Sequence, residues 1–175
     1  MSTEAAPKKS HRYRRWLIEL ALLGLVVFAI HAYQTRATPV GEAPPMAGIG
    51  LQGESVDLAQ FRGRPVLVYF WSSWCPICRV QQSVLRAIAE DSAVLSVAWQ
   101  EEISADALRD YAQKAGYTFP VLHDVDGSIG QRYGIRAVPT AFVIDPEGEI
   151  RFTEVGYTTT LGLRIRLWLA DMLPG

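Results

Sequence analysis

The residues with chemistry in them are Cys75 and Cys78, the only two cysteines of the 175-residue chain, in the run Trp74-Cys75-Pro76-Ile77-Cys78. Two thiols three positions apart on the first turn of a helix can close a small disulfide ring, and the positive end of the helix favours the thiolate form of the first. Arg79 adds a cation beside them. The pattern predicts that Cys75 attacks a substrate disulfide and that Cys78 resolves the mixed disulfide that follows. Pro76 suits the same geometry, because a missing N–H costs nothing at the first helical position and the fixed φ fits the turn. A structural bridge is the plainer alternative, but a ring enclosing two residues removes little chain entropy and makes a poor staple. Half of a metal site is another. Of the three histidines, His11 and His31 lie in the tail and in an apolar span, so only His123 is left for the domain, short of a closed zinc site.

Thiols that work at a helix start need a strand to deliver them. Residues 65–71 (PVLVYFW) are apolar without alternation, as a central strand covered on both faces requires. Residues 76–90 then place Ile77, Val80, Val84 and Ile88 at helical spacing. A second apolar strand follows at 93–99. Ser104 can cap a helix carrying Leu108, Tyr111, Ala112 and Ala115 on one face, and Gly116 can stop it. Residues 121–123 read as a short extended piece and 128–133 as a short helix. Strands at 140–145 and 149–155 flank the turn Pro146-Glu147-Gly148. Leu161, Ile165, Trp168, Leu169 and Met172 make the apolar stripe of a last helix, and residues 49–51 and 56–58 flank a turn at Gln52-Gly53-Glu54. The alternation predicts one α/β domain over 48–175 with parallel βαβ units.

Charge is distributed unevenly. Residues 1–16 carry Lys8, Lys9, Arg12, Arg14 and Arg15 against Glu4, a local +4 in a chain of net charge -1, which leaves -5 for the remainder. That acidic remainder argues against nucleic acid as a partner, since binding there rests on clustered cations. Residues 17–33 (LIELALLGLVVFAIHAY) are nearly free of charge, and as a helix they reach about 25 Å, a little short of the ~30 Å hydrocarbon core. Trp16 and Tyr33 stand at the two ends, and Glu19 lies close enough to the basic end to snorkel. We therefore expect a basic cytoplasmic tail (1–15), a transmembrane signal anchor (16–33), a linker (34–47) rich in Pro39, Gly41, Pro44 and Pro45, and the domain (48–175) across the membrane. A cleaved signal peptide would have to use the site Thr35-Arg36-Ala37, and Arg14-Arg15 is only a faint twin-arginine pattern.

With these elements placed, a resemblance emerges. Residues 66–78 (VLVYFWSSWCPIC), Phe119-Pro120-Val121-Leu122-His123-Asp124 ahead of a short helix, Tyr133-Gly134-Ile135, and Val138-Pro139-Thr140 leading into 141–145 and Pro146-Glu147-Gly148 resemble the thioredoxin superfamily over about residues 46–173. Within it they look like the membrane-anchored TlpA/ResA/DsbE-like protein disulfide oxidoreductases of bacterial envelopes. The insertion at 93–115 fits that branch, and the CPIC motif with the anchor looks most like ScsD-type proteins, associated with suppression of copper sensitivity.

The resemblance implies a thioredoxin-like α/β fold, a central mixed sheet flanked by helices, preceded by one N-terminal transmembrane helix. It implies a redox-active disulfide between Cys75 and Cys78, a cis peptide at Val138-Pro139 facing Cys75, and a client-binding rim of Trp74, Val138 and Pro139. No cofactor is implied. The partners would be protein thiol or disulfide clients and a DsbD/ScsB-like electron donor in the bacterial inner membrane, with the domain in the periplasm. A reductant role, in cytochrome c maturation or for other envelope thiols, is the leading expectation. A disulfide-donating oxidant and a copper-binding or copper-buffering module using both thiolates are the alternatives. A peroxidase is disfavoured, because Ser72 is the only match to a Ser-x-x-Cys setting and Cys78 sits one turn away.

Two positions depart from the family. Tyr69 stands where thioredoxin usually has a buried carboxylate, and Gln81 where ResA-like reductants often have glutamate. The proton acceptor for Cys78 is thereby unassigned. Glu101 and Glu102 are candidates by topology, or else solvated charges leading into the cap at Ser104.

Overall fold

Residues 66–71 place six apolar side chains in succession, and in the computed structural model, which describes residues 9–36 and 38–173, all six are buried. A strand covered on both faces needs a layer on either side. In chain order the elements are α1 (Lys9–Thr35), β1 (Gly41–Glu42), β2 (Ala47–Ile49), β3 (Ser55–Asp57), β4 (Val66–Trp71), α2 (Pro76–Ala89), β5 (Ala93–Trp99), α3 (Ala105–Lys114), β6 (Val121–Asp124), α4 (Ser128–Arg132), β7 (Thr140–Ile144), β8 (Glu149–Val155) and α5 (Thr160–Met172). The main sheet has six strands in the order β1-β8-β7-β4-β5-β6, and β2 and β3 form a separate antiparallel pair. Strands β4, β5 and β6 are parallel, β7 is antiparallel to β4, and β8 antiparallel to β7. The parallel βαβ pattern thus covers half of a mixed sheet.

The period of two along β4 divides the core. Leu67, Tyr69 and Trp71 join Cys78, Leu85 and Leu163 on one face, while Val66, Val68 and Phe70 join Phe142 and Tyr133 on the other. At about 1.5–3 kcal/mol for each fully buried large apolar side chain, these two layers outweigh any single polar contact in the domain.

Three expectations change. The stretch 34–47 is not all linker: Gly41–Glu42 pairs with β8, Met46 is 1% exposed, and the Tyr133 hydroxyl donates to the Pro44 carbonyl at 2.7 Å. On α2 the buried face is Cys78, Gln81, Val84, Leu85 and Ile88, so Ile77 and Val80 point outward. On α5 the buried residues are Leu163, Leu167 and Ala170, and of the expected stripe Leu161, Ile165, Trp168 and Met172 are exposed and Leu169 is half-buried. Both helices offer more than one apolar line at helical spacing, and the sheet selects the one that lets the backbone approach.

Residues up to Arg36 form a unit of their own. In α1 the side chains of Leu17, Leu23 and Phe28 are 61–68% exposed. Among the described residues no helix is long and apolar enough to cross a membrane. The apolar part, 17–33, falls short of the ~30 Å that a spanning helix must cover. Residues 1–8 of the expected basic tail and Ala37 of the cleavage-site reading lie outside the described residues.

Candidate active site

Strand β4 ends at Trp71, and the chain turns through Ser72 and Ser73 to reach α2. The Ser72 hydroxyl donates to the carbonyl of Trp99 at 2.6 Å, so the serine of the Ser-x-x-Cys match is engaged with the end of β5. The Ser73 N–H and hydroxyl donate to Glu101 Oε2 and Oε1 at 2.5 and 3.0 Å. His123 Nε2–H on β6 donates to the Glu101 carbonyl at 2.7 Å. The loop leading to the cysteines is therefore braced by the ends of two neighbouring strands.

Cys75 is the N-cap of α2, and Pro76 occupies the first helical position. The Cys78 N–H donates to Cys75 Sγ at 3.2 Å, and the Cys75 thiol donates to the Val138 carbonyl at 3.5 Å. Both cysteines are free thiols, 4% and 1% exposed. The Val138-Pro139 peptide is cis. Trp74 is 57% exposed, whereas Trp71 is fully buried. The structure thus brings Cys75, Cys78 and Val138 together, with Trp74 bare beside them. The Pro139 carbonyl accepts from the Gly156 N–H at 2.8 Å, and Thr158 N–H donates to Gln81 Oε1 at 3.0 Å. These two bonds bind the loop after β8 to the cis-proline segment and to α2.

Burial pushes the Cys78 thiol up to about 12, reinforced by its hydrogen bonding with Cys75. Burial also raises the phenols of Tyr69 and Tyr117, and Cys78 is among the neighbours acting on both. Glu102 is exposed, but Glu101 is 2% exposed and commits both carboxylate oxygens to Ser73. Glu101 is therefore not a solvated charge. Among the described residues no cluster of three or more His, Cys, Asp or Glu side chains is placed to hold a metal ion.

A dithiol at a helix start, packed against the carbonyl that precedes a cis-proline, can exchange disulfides with an extended partner. The sequence model of the AhpC/TSA family matches residues 40–153. The chain belongs to the AhpC/TSA family. The chain is 28% identical to the thiol-disulfide oxidoreductase ResA of Bacillus thuringiensis subsp. konkukian, over 82% of this chain and 87% of that one. It is 29% identical to the thiol:disulfide interchange protein DsbE of Pseudomonas fluorescens biotype C, over 82% and 86%. The exposed lipoprotein thioredoxin Etrx1 of Streptococcus pneumoniae superimposes with a TM-score of 0.64 at 28% identity, covering 71% of this chain and 98% of that one. This member of the AhpC/TSA family is an enzyme, a thiol-disulfide oxidoreductase of the ResA/DsbE kind, with a thioredoxin-like fold.

Sequence reasoning did not assign Gln81, Glu101 and Asp124 the places they hold. The Asp124 carboxylate accepts from the Ile129 and Gly130 N–H groups at 3.0 and 2.8 Å, fixing the start of α4. An aspartate at a strand end just before Asp126-Gly127-Ser128 was the available signal.

Proposed function

We propose that this chain is a membrane-tethered thiol-disulfide oxidoreductase that works outside the cytoplasm as a reductant of protein disulfides. One observation carries the chemistry: Cys75 Sγ sits at the start of α2, 3.2 Å from the Cys78 N–H and 3.5 Å from the carbonyl of Val138. In this reading Cys75 is the nucleophile and Cys78 the resolving thiol. Trp74, Val138 and Pro139 receive an extended client segment. The reductant direction rests on Cys78. A dithiol becomes a strong oxidant when its reduced form is stabilised as thiolate, and burial here does the reverse at one of the two sulfurs. The electrons are resupplied by a membrane redox partner.

The tether rests on α1, whose apolar side chains lie bare along the helix, with Arg14 and Arg15 before them and Trp16 and Tyr33 at the ends. Snorkelling and local thinning of the bilayer accommodate a short span at modest cost.

The functional reading is tested by disulfide reduction with purified protein and by gels run without reductant. Cys75→Ala is expected to abolish reduction, and Cys78→Ala to accumulate client-linked mixed disulfides. Reduction that survives Cys75→Ala overturns the assignment. The tether is tested by alkaline carbonate extraction of membranes and by protease added to intact cells after opening the outer layer. Recovery with the membrane pellet and digestion of the domain are expected; release by carbonate refutes it.

A further inference from the structure

The inner face of β4 places Tyr69 in the same buried layer as Cys78, six residues ahead of Cys75 in the chain. Tyr69 is fully buried, and its hydroxyl makes no hydrogen bond of regular geometry among the described residues. A buried phenol left in that state is costly, and such groups call for an explanation. The neighbour that supplies one is the Cys78 sulfur, which shares the buried layer with the phenol and interacts with it electrostatically.

We propose that Tyr69 is the positioning residue for Cys78, its hydroxyl donating a hydrogen bond to the sulfur as the thiolate forms in the resolving step. The proposal rests on the exchange chemistry assigned to the two cysteines. Burial holds the Tyr69 phenol protonated, so the hydroxyl serves as a donor and not as a base. The other ionisable groups around this layer are Cys75 at the start of α2, Tyr111 on α3, Tyr117 after α3, and Arg86 on α2, whose guanidinium donates to the Ala115 carbonyl at 3.1 Å. Arg79 and Glu101 act on Tyr111, whose hydroxyl accepts from Gln82 Nε2 at 2.9 Å.

The step balances without a carboxylate. Cys75 thiolate attacks one sulfur of the client disulfide, forming the Cys75–client bond and releasing a client thiolate. Cys78 then gives up its proton, its thiolate attacks Cys75 Sγ, the Cys75–Cys78 bond forms and the Cys75–client bond breaks. The second client sulfur leaves as thiolate, and the proton lost by Cys78 ends on a client sulfur. Two electrons pass from the chain to the client. Tyr69 steadies the one anion that has to form inside the protein.

The test uses the full chain in its reduced form with Tyr69→Phe, which keeps the ring and removes only the hydroxyl. In a Cys75→Ala background, iodoacetamide modification of Cys78 is followed against pH by mass spectrometry. The Phe variant is expected to alkylate about tenfold more slowly at a given pH, equivalent to a one-unit displacement of the profile toward alkaline values. Mixed-disulfide resolution slows with it. A Cys78 profile that does not move overturns the proposal, as does an equal change in Cys75 alkylation measured in a Cys78→Ala background. Client reduction by the unaltered chain is recorded in parallel. If that fails, the exchange reading falls; if it succeeds and the Cys78 profile does not move, only the role of Tyr69 falls.

Discussion

Ser73 lies two residues before Cys75, and what holds it is the carboxylate of Glu101, 28 residues further along the chain. Replacing Glu101 with alanine leaves the Ser73 N–H without its acceptor in a half-buried turn. The expected loss is about 1–3 kcal/mol in urea unfolding, with Glu101→Gln milder because one oxygen remains to accept. Contacts of this kind are hard to read from a sequence, since nothing in either residue names the other. Where the neighbours along the chain decide the environment, reading succeeds. Trp71 closes an unbroken apolar strand and is buried, while Trp74 stands after two serines in the turn and is exposed. Tyr69 falls between these cases. Its position marks it as the replacement for a carboxylate, but the partner of its hydroxyl is a matter of three dimensions.

Among the elements, α4 is the least able to stand alone. It has five residues, its N-cap Gly127 has φ of 71° and provides no side-chain cap, and the Asp124 carboxylate supplies the missing acceptors. It also packs against β5 through Gly130, where an added Cβ would lie 2.3 Å from the Trp99 indole. Gly130→Ala is therefore expected to destabilise the domain by about 1–3 kcal/mol through overpacking, visible as a lower denaturant midpoint with an unchanged slope. Helix α5 marks the opposite limit of legibility. Leu161-Ile165-Trp168-Met172 and Leu163-Leu167-Ala170 are both regular lines on one short helix, so periodicity alone cannot choose between them. The smaller set faces the sheet and α2. In α2, by contrast, the position of the helix was fixed by Pro76 and by the strand before it, and only its outward residues Ile77 and Val80 were misplaced.

For the whole molecule, the buried thiol ties stability to pH and to redox state together. The Cys78 thiol ionises near its ordinary value of 9 when unfolded and near 12 in the fold. Between those values the unfolded chain has lost a proton that the folded chain keeps, so stability is full below about 9 and drains away as the pH rises toward 12. The oxidised protein has no thiol there and lacks that slope. Urea unfolding of reduced and oxidised protein at pH 8 and pH 10 is expected to show the reduced form losing ground at the higher pH. The mixed sheet itself was only half legible: the unbroken apolar strands 66–71 and 93–99 announced the parallel half, but the antiparallel pairing of β7 with β4 depends on how the chain returns through the 134–139 loop. The pairing of Gly41–Glu42 with β8 was hidden because a glycine-proline stretch gives no period to read.

The sulfur of Cys75 also does a second job as the acceptor that fastens the first turn of α2. The sulfur of a free cysteine can accept this bond, and a disulfide sulfur is a feebler acceptor. The helix start is accordingly fastened in one redox state and loosened in the other, so the Cys78 amide becomes a built-in gauge: its hydrogen-exchange protection is expected to fall on oxidation, reporting the state of the pair from the backbone alone.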